Sequence, residues 1–428
     1  MLKKIRDLLE KSDNITKSTY LWNSINAMLN AAECPVMTLV LTRSHGIYDA
    51  GVFSIAYAVA TLMLFVGQYG LRRFQSSDIH EKYSFAEYYG ARVISCIVMI
   101  LASVAYCCYG VIFKDYNLEK FVVILLVNLL KCIQAFTDVA HGRMQQMGRL
   151  DVATRSSAVR YVAEMLAFGA AYLVTKSLII ACAVCLGVSL VVALLTSMNA
   201  VTDYCELKAS YDRVKLKMLF VEGFSLFVSL FLNMYLSNAP KYAIDTYLTE
   251  EIQAIYNIVF MPAFVVQLVA HFIFNPILTS YAEVWTRQEY RKFNRLVRRQ
   301  MLVVLGLAVL GLAVAATIGI PVLSWIFSVD LSPYRTELCI VMLGGGMLAY
   351  SVFFNTVITI IRWHQTLIWC YGAAAIAAFV LSGPFVRTAG MRGATVLYAV
   401  IMTVLTVLLG IILWVGIRRE KRRTELAN

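Results

Sequence analysis

The chain has 428 residues, of which 60% are hydrophobic and only 15% are charged. Soluble globular proteins carry roughly 25% charged residues, so the composition excludes an ordinary soluble fold. A helix that spans a bilayer needs about 20 mostly apolar residues, and apolar runs of that kind recur from residue 19 to residue 416. The sequence therefore predicts one all-α integral membrane protein with about twelve transmembrane helices.

A short amphipathic segment opens the chain. Leu2, Ile5 and Leu9 recur at helical spacing with basic residues opposite them, as in helices that lie in a membrane interface. We therefore predict a cytoplasmic interfacial helix within residues 1–18. The predicted spans follow at 19–41, 51–70, 91–113, 121–140, 158–174, 178–200, 216–237, 254–274, 301–327, 338–361, 366–386 and 393–416.

Six spans return the chain to the side of the membrane on which it started. Two six-helix lobes, at 19–200 and 218–416, would then be parallel repeats joined by a cytoplasmic linker at 201–217. A basic tail at 417–428 follows the second lobe. Weak internal similarity favours the repeat, because three polar positions of the first span recur at the same spacing in the seventh.

The basic residues are distributed unevenly along the chain. Lysine and arginine total 38 against 26 acidic residues, which gives a net charge of +12. With a cytoplasmic N-terminus, 29 of the 38 basic residues fall in cytoplasmic segments, including the loop at 281–300. This bias fits the positive-inside rule with both termini cytoplasmic. The charge is thus topogenic, and no nucleic-acid partner is expected.

Polar side chains follow one face of three predicted spans. Because polar groups are costly at membrane depth, they usually face a partner helix or a water-filled cavity. The stripes are Asn23, Asn26, Asn30 and Glu33 on the first span, Lys131, Gln134 and Asp138 on the fourth, and Glu222, Ser225, Ser229 and Asn233 on the seventh. Two hypotheses stay open: the stripes line a central cavity, or they join helices through hydrogen bonds.

Lys131 lies near the middle of a predicted span, whereas the basic residues Arg92, Arg160 and Lys217 lie within three residues of a span end. The Lys131 ammonium group needs an anion or water within hydrocarbon, and Glu33, Asp138 or Glu164 could supply the anion. Glu164 also follows Arg160 by four residues, a spacing that favours an ion pair along one helix.

Two further cations mark the outer ends of the first and seventh spans. These are Arg43 and Lys241, whose long side chains are expected to extend to the membrane interface. Their matching positions predict a cationic rim.

No catalytic motif is present in the sequence. The phosphate-binding pattern Gly-x-x-x-x-Gly-Lys-[Ser/Thr] and the zinc pattern HExxH are both missing. The outer connections are short, which disfavours a membrane polymerase or ligase of lipid-linked glycans. The sequence therefore indicates a protein that is not an enzyme.

In architecture the chain resembles the multidrug/oligosaccharidyl-lipid/polysaccharide exporter (MOP) superfamily, and within it the polysaccharide flippases of the Wzx type. The local sequences that carry the resemblance are Thr42-Arg-Ser-His-Gly46 with Ala50-Gly-Val-Phe-Ser-Ile55, Gly67-Gln-Tyr-Gly-Leu-Arg-Arg-Phe74, Met261-Pro-Ala-Phe264 and Asn275-Pro-Ile-Leu278.

The resemblance implies a transporter that works by alternating access in a bacterial cytoplasmic membrane, without a cofactor. It would move polyprenyl-diphosphate-linked oligosaccharides to the outer leaflet, in contact with the lipid bilayer and with the glycosyltransferases and polymerase of the same pathway. This chain departs from strongly cationic flippases, because the first-span and seventh-span stripes, which the resemblance places at the cavity, both contain a carboxylate. The departure leaves open a cation-coupled multidrug antiporter, in which Glu33 or Glu222 would hold the coupling proton or sodium ion.

Overall fold

A computed structural model describes residues 2–44, 46–78, 81–274, 278–361 and 363–427. Within these residues every regular element is a helix. The chain forms two compact units, the first at Met1–Phe231 and the second at Leu232–Asn428. His45 and residues 275–277, which belong to the sequences quoted for the resemblance, lie outside the described residues, as do the side chains of Leu2 and Ile5.

The first unit consists of long helices and two short ones. One short helix begins the chain, and the other follows the second long helix. The helices are α1 (Leu2–Glu10), α2 (Ile15–Ser44), α3 (Ile47–Gln68), α4 (Leu71–Ser77), α5 (Phe85–Phe113), α6 (Leu118–Gln146), α7 (Leu150–Thr175), α8 (Leu178–Val201) and the first part of α9 (Arg213–Tyr247). The six long helices before α9 correspond to the first six predicted spans. Most of them extend past the apolar run, because a helix continues into the polar boundary of a bilayer.

Helix α3 lies at the centre of the first unit. Its buried residues include Gly51, Ala56 and Ala58, whose small side chains let neighbouring helices approach closely. Phe53 packs against Phe168 of α7, with ring centroids 5.3 Å apart. The close packing around α3 brings the middle of α2, α6 and α7 within reach of one another.

Helix α1 lies within the segment 1–18, for which an interfacial helix is predicted. Leu9 is buried in a cluster with Ala140 and Met144. Arg6 forms an ion pair with Asp203 at 2.7 Å. These contacts hold α1 against the first unit, and its position in a membrane interface stays a prediction.

Helix α9 crosses the division between the units. Lys215 near its start pairs with Glu87 of α5 at 2.6 Å. The ring of Phe227 stacks on that of Tyr69 with centroids 4.5 Å apart. These contacts attach the start of α9 to the first unit, whose last residue, Phe231, lies inside the helix. The two predicted lobes and the linker at 201–217 stay a prediction.

The second unit continues from α9. Its helices are α10 (Glu250–Phe274), α11 (Leu278–Thr286), α12 (Tyr290–Phe327), α13 (Arg335–Ile360) and α14 (Leu367–Ala427). Helix α14 is two helices joined at Gly390, whose φ of 56° and ψ of −134° are not helical. With these two counted separately, the long helices of the described chain match the twelve predicted spans, and the predicted fold class is confirmed.

Glycines of α13 allow close helix contacts in the second unit. A Cβ atom at Gly344 would lie 2.5 Å from the ring of Tyr398 in α14, and one at Gly346 would lie 2.9 Å from Ala308 in α12. A larger residue at either position would force the neighbouring helix away. The core of the second unit is therefore built around α13.

Candidate functional site

Lys131 and Glu33 form a buried ion pair inside the first unit. The Nζ atom of Lys131 on α6 lies 2.5 Å from Oε2 of Glu33 on α2. The two side chains are 3% and 0% exposed. Of the three carboxylates considered as the anion for Lys131, the structure selects Glu33.

Two other side chains complete the surroundings of this pair. Lys131 Nζ donates to the Tyr57 hydroxyl on α3 and to Gln134 Oε1, both at 3.2 Å. Tyr57 in turn donates to Glu33 Oε2 at 3.0 Å. Glu33 Oε1 is buried and has no hydrogen-bond partner among the described residues. An unsatisfied buried acceptor is costly, so this oxygen is a polar atom that the described packing leaves without compensation.

A second buried ion pair lies on α7 and confirms the predicted i, i+4 pair. Arg160 Nη1 is 2.5 Å from Glu164 Oε1, and both side chains are almost fully enclosed. Ser189 of α8 donates to the same carboxylate oxygen at 2.5 Å. Glu164 also interacts electrostatically with Glu33 and Lys131. We call the two pairs, with Tyr57, the central cluster, and its two carboxylates balance its two cations.

Asp138 lies outside the central cluster. Its Oδ2 is 3.1 Å from Arg92 Nη2, and its Oδ1 is 3.1 Å from Arg72 Nη1. Arg92 Nη1 also donates to the backbone oxygen of Gly67 at 2.5 Å. The hypothesis that Asp138 supplies the anion for Lys131 is therefore wrong, because two arginines already bind its carboxylate.

Arg92 is a buried cation that the span prediction places incorrectly. The sequence prediction counted Arg92 among the cytoplasmic basic residues, at the edge of a span that begins at residue 91. In the structure α5 begins at Phe85, and Arg92 is completely buried. A signal for the earlier start is the sequence Ser84-Phe-Ala-Glu87, which has the spacing of a capping box. The backbone N–H of Ser84 donates to Glu87 Oε2 at 2.8 Å, as that motif requires.

Glu222 lies in a different environment from Glu33. Its Oε1 is 2.6 Å from Lys82 Nζ, and the two side chains are 38% and 59% exposed. The hydrogen bond from Lys82 to Glu222 raises the pKa of the lysine ammonium group, so Lys82 stays charged at neutral pH. The carboxylates of the first-span and seventh-span stripes are therefore not equivalent.

The remaining stripe residues differ in burial, and their role in lining a cavity stays a prediction. The half-buried residues are Asn26, Gln134, Ser225, Ser229 and Asn233, and the exposed ones are Asn23 and Asn30. Ser229 donates to the backbone oxygen of Ser225 at 3.0 Å, a bond within its own helix.

The prediction of a cationic rim is wrong for Lys241. This residue is 3% exposed, and its Nζ donates to Asn257 Oδ1 at 2.8 Å inside the second unit. The same nitrogen lies 5.5 Å from the ring centroid of Phe260. Arg43, by contrast, is exposed. The difference arises because α10 offers Lys241 an acceptor and an aromatic face within the protein.

Comparison with known proteins gives a clear result for the fold. No protein-family model and no curated protein sequence matches the chain. Among solved structures, an inward-facing multidrug resistance MATE family transporter of the MOP superfamily superposes with a TM-score of 0.68 at 12% identity, over 94% of this chain and 99% of that one. A MATE structure in the bent conformation gives a TM-score of 0.60 at 11% identity, over 99% of both chains.

A third similar structure is a MOP superfamily transporter from Pyrococcus furiosus, for which a reversed polarity of the binding pocket suggests a different function. It superposes with a TM-score of 0.53 at 12% identity, over 96% of this chain and 98% of that one. The chain therefore has the fold of MATE transporters in the MOP superfamily. The fold predicted from the sequence is confirmed, and the membership in the superfamily and the narrower resemblance to Wzx-type flippases stay predictions.

Proposed function

We propose that this protein is a membrane transporter that works by alternating access and carries small cationic or amphiphilic compounds. The observation that supports this most strongly is the likeness in fold, over nearly the whole chain, to a multidrug transporter. It favours the multidrug antiporter, the alternative left open by the sequence, over a flippase for lipid-linked oligosaccharides.

The charges inside the first unit favour the same choice. A diphosphate head group needs cations that can neutralise it, whereas Lys131 already lies 2.5 Å from Glu33. An anionic substrate that bound Lys131 would leave the Glu33 carboxylate buried without its partner, which is strongly unfavourable. A cationic or neutral substrate does not disturb the pair in this way.

Glu33 is the better candidate for holding a coupling ion. It is fully enclosed, and its Oε1 has no hydrogen-bond partner in the described part of the chain. A proton at that oxygen would neutralise the carboxylate and weaken its attraction for Lys131. Protonated and ionised Glu33 would then stabilise different arrangements of α2 and α6, as ion coupling requires. Glu222 is exposed and paired with Lys82, so we assign it no coupling role.

Vesicles that contain the purified protein test this proposal. Ethidium transport under an imposed pH or sodium gradient is measured by fluorescence, and translocation of a fluorescent polyprenyl-diphosphate sugar is measured in parallel by chemical reduction of its fluorophore from outside. We expect gradient-driven ethidium transport that Glu33→Gln abolishes and that the matched control, Glu222→Gln, retains. Translocation of the lipid-linked sugar without ethidium transport would instead establish a flippase. Normal ethidium transport by the Glu33→Gln variant would remove this carboxylate from the mechanism.

A further inference from the structure

One face of α12 carries a dense group of basic residues. They are Arg291, Lys292, Arg295, Arg298 and Arg299, and all five are exposed. At 100° per residue they fall within an arc of about 120°, over about 12 Å of helix. Lys292 is partly compensated by Glu289 at 2.9 Å. We call this group the basic stripe.

The basic stripe continues directly into an apolar one on the same side of the helix. The exposed apolar residues that follow are Leu302, Val303, Leu305, Val309 and Leu310, with Leu302 67% exposed. Their directions around the helix axis are centred on about the same angle as those of the basic residues. A face that is apolar over about 12 Å and then strongly basic matches the boundary between acyl chains and head groups.

The opposite face of the same helix is covered by protein. Phe293 and Val297 are buried there, and the ring centroids of Trp285 on α11 and of Phe293 are 4.8 Å apart. Tyr281 of α11 donates to the backbone oxygen of Leu296 at 2.9 Å. Helix α11 therefore fixes the rotation of α12 and directs the basic stripe away from the core of the second unit.

We propose that the basic stripe binds the head groups of anionic phospholipids. Arg295, Arg298 and Arg299 lie nearest to the apolar residues, where their guanidinium groups can donate paired hydrogen bonds to a lipid phosphate. The acyl chains of the same lipid would then lie along Leu302 and Leu305. A topogenic excess of charge does not require that basic and lipid-exposed apolar residues share one helix face, whereas lipid binding does.

Photo-crosslinking in vesicles tests this proposal. The full-length protein carries p-benzoylphenylalanine at position 302, in vesicles of phosphatidylglycerol and phosphatidylcholine at equal amounts. The mass of the intact protein with its crosslinked lipid then identifies the captured lipid. Position 376 is the matched control, because Ile376 is 68% exposed on α14. We expect phosphatidylglycerol to exceed phosphatidylcholine about fivefold or more at position 302, since each basic residue near an anionic surface contributes about that factor. At position 376 we expect the bulk ratio.

Substitutions within the basic stripe complete the test. Replacing Arg295, Arg298 and Arg299 together by glutamine should return the ratio at position 302 to the bulk value. Replacement of the same three residues by lysine should keep much of the preference and shows that the helix still folds. If the triple glutamine variant does not fold, Arg298→Gln alone should lower the ratio. Equal capture of both lipids at position 302, the same preference at position 376, or a preference that survives the glutamine variants would overturn the proposal.

Discussion

A buried lysine of the first unit, Lys131, and one of the second, Lys241, are stabilised differently. Lys131 of the first unit lies 2.5 Å from the Glu33 carboxylate. Lys241 of the second unit donates to the amide oxygen of Asn257 at 2.8 Å and lies over the ring of Phe260. The contacts described for the first lysine thus include a carboxylate, and those described for the second include an amide oxygen and an aromatic ring.

This difference determines what a substitution leaves behind. Removal of one member of a buried ion pair leaves an opposite charge in a low-dielectric interior, which is among the most costly changes in a protein. Loss of a hydrogen bond between a lysine and an amide leaves an unsatisfied polar group, which costs less. Substitutions in the central cluster should therefore reduce stability more than those around Lys241.

The largest effect is expected from Lys131→Met. Loss of the ammonium should lower the free energy of unfolding by about 3–5 kcal/mol, because Glu33 stays buried without its partner. Adding Glu33→Gln to Lys131→Met should recover most of this loss, since no charge then remains. Thermal unfolding of the purified single and double variants in detergent measures both effects. A double variant no more stable than Lys131→Met alone would show that the pair is not the source of the loss.

We also expect Lys131→Ala to abolish transport and Lys131→Arg to keep part of it, per folded molecule.

A loss of about 3 kcal/mol is expected from Asp138→Asn. This change removes the carboxylate that binds both Arg92 and Arg72, and Arg92 is fully enclosed. The matched control is Arg72→Gln, which should cost clearly less, because Arg72 is 33% exposed and Asp138 keeps Arg92. Equal losses in the two variants, measured by thermal unfolding, would contradict this assignment of the network.

A smaller loss, of about 2 kcal/mol, is expected from Lys241→Met. Methionine fills much of the space beside Phe260, and the substitution removes the hydrogen bond to Asn257. The same unfolding measurement applies here, with Lys131→Met as the reference. If Lys241→Met proved as destabilising as Lys131→Met, the proposed distinction between the two lysines would fail.

The smallest effect is expected from the exposed pair of Lys82 and Glu222. Such pairs contribute little, because water and salt screen them and ordering two long side chains costs entropy. Lys82→Ala and Glu222→Gln should therefore unfold at the wild-type temperature in physiological salt, and transport should be unchanged. A marked loss of transport in either variant would show that the start of α9 takes part in the transport cycle.

Much of the fold follows from the sequence, and the reason is physical. The thickness of the bilayer sets the length of each apolar run, so the twelve long helices are readable one by one. Because a charge buried in hydrocarbon is costly, the sequence also identified Lys131 as a residue that must have an anion or water nearby. The spacing of Arg160 and Glu164 also predicted their contact, because residues four apart meet on a single helix.

Contacts between different helices depend on the tertiary structure. The sequence left Glu33, Asp138 and Glu164 as equal partners for Lys131, and the packing of α2 and α6 around α3 decided for Glu33. The sequence likewise could not show that Arg92 is buried or that Lys241 contacts Asn257 inside the second unit. A helical repeat defines the face on which a side chain lies. The rotation and depth of each helix relative to its neighbours, which decide what that face meets, are set only when all the helices pack together.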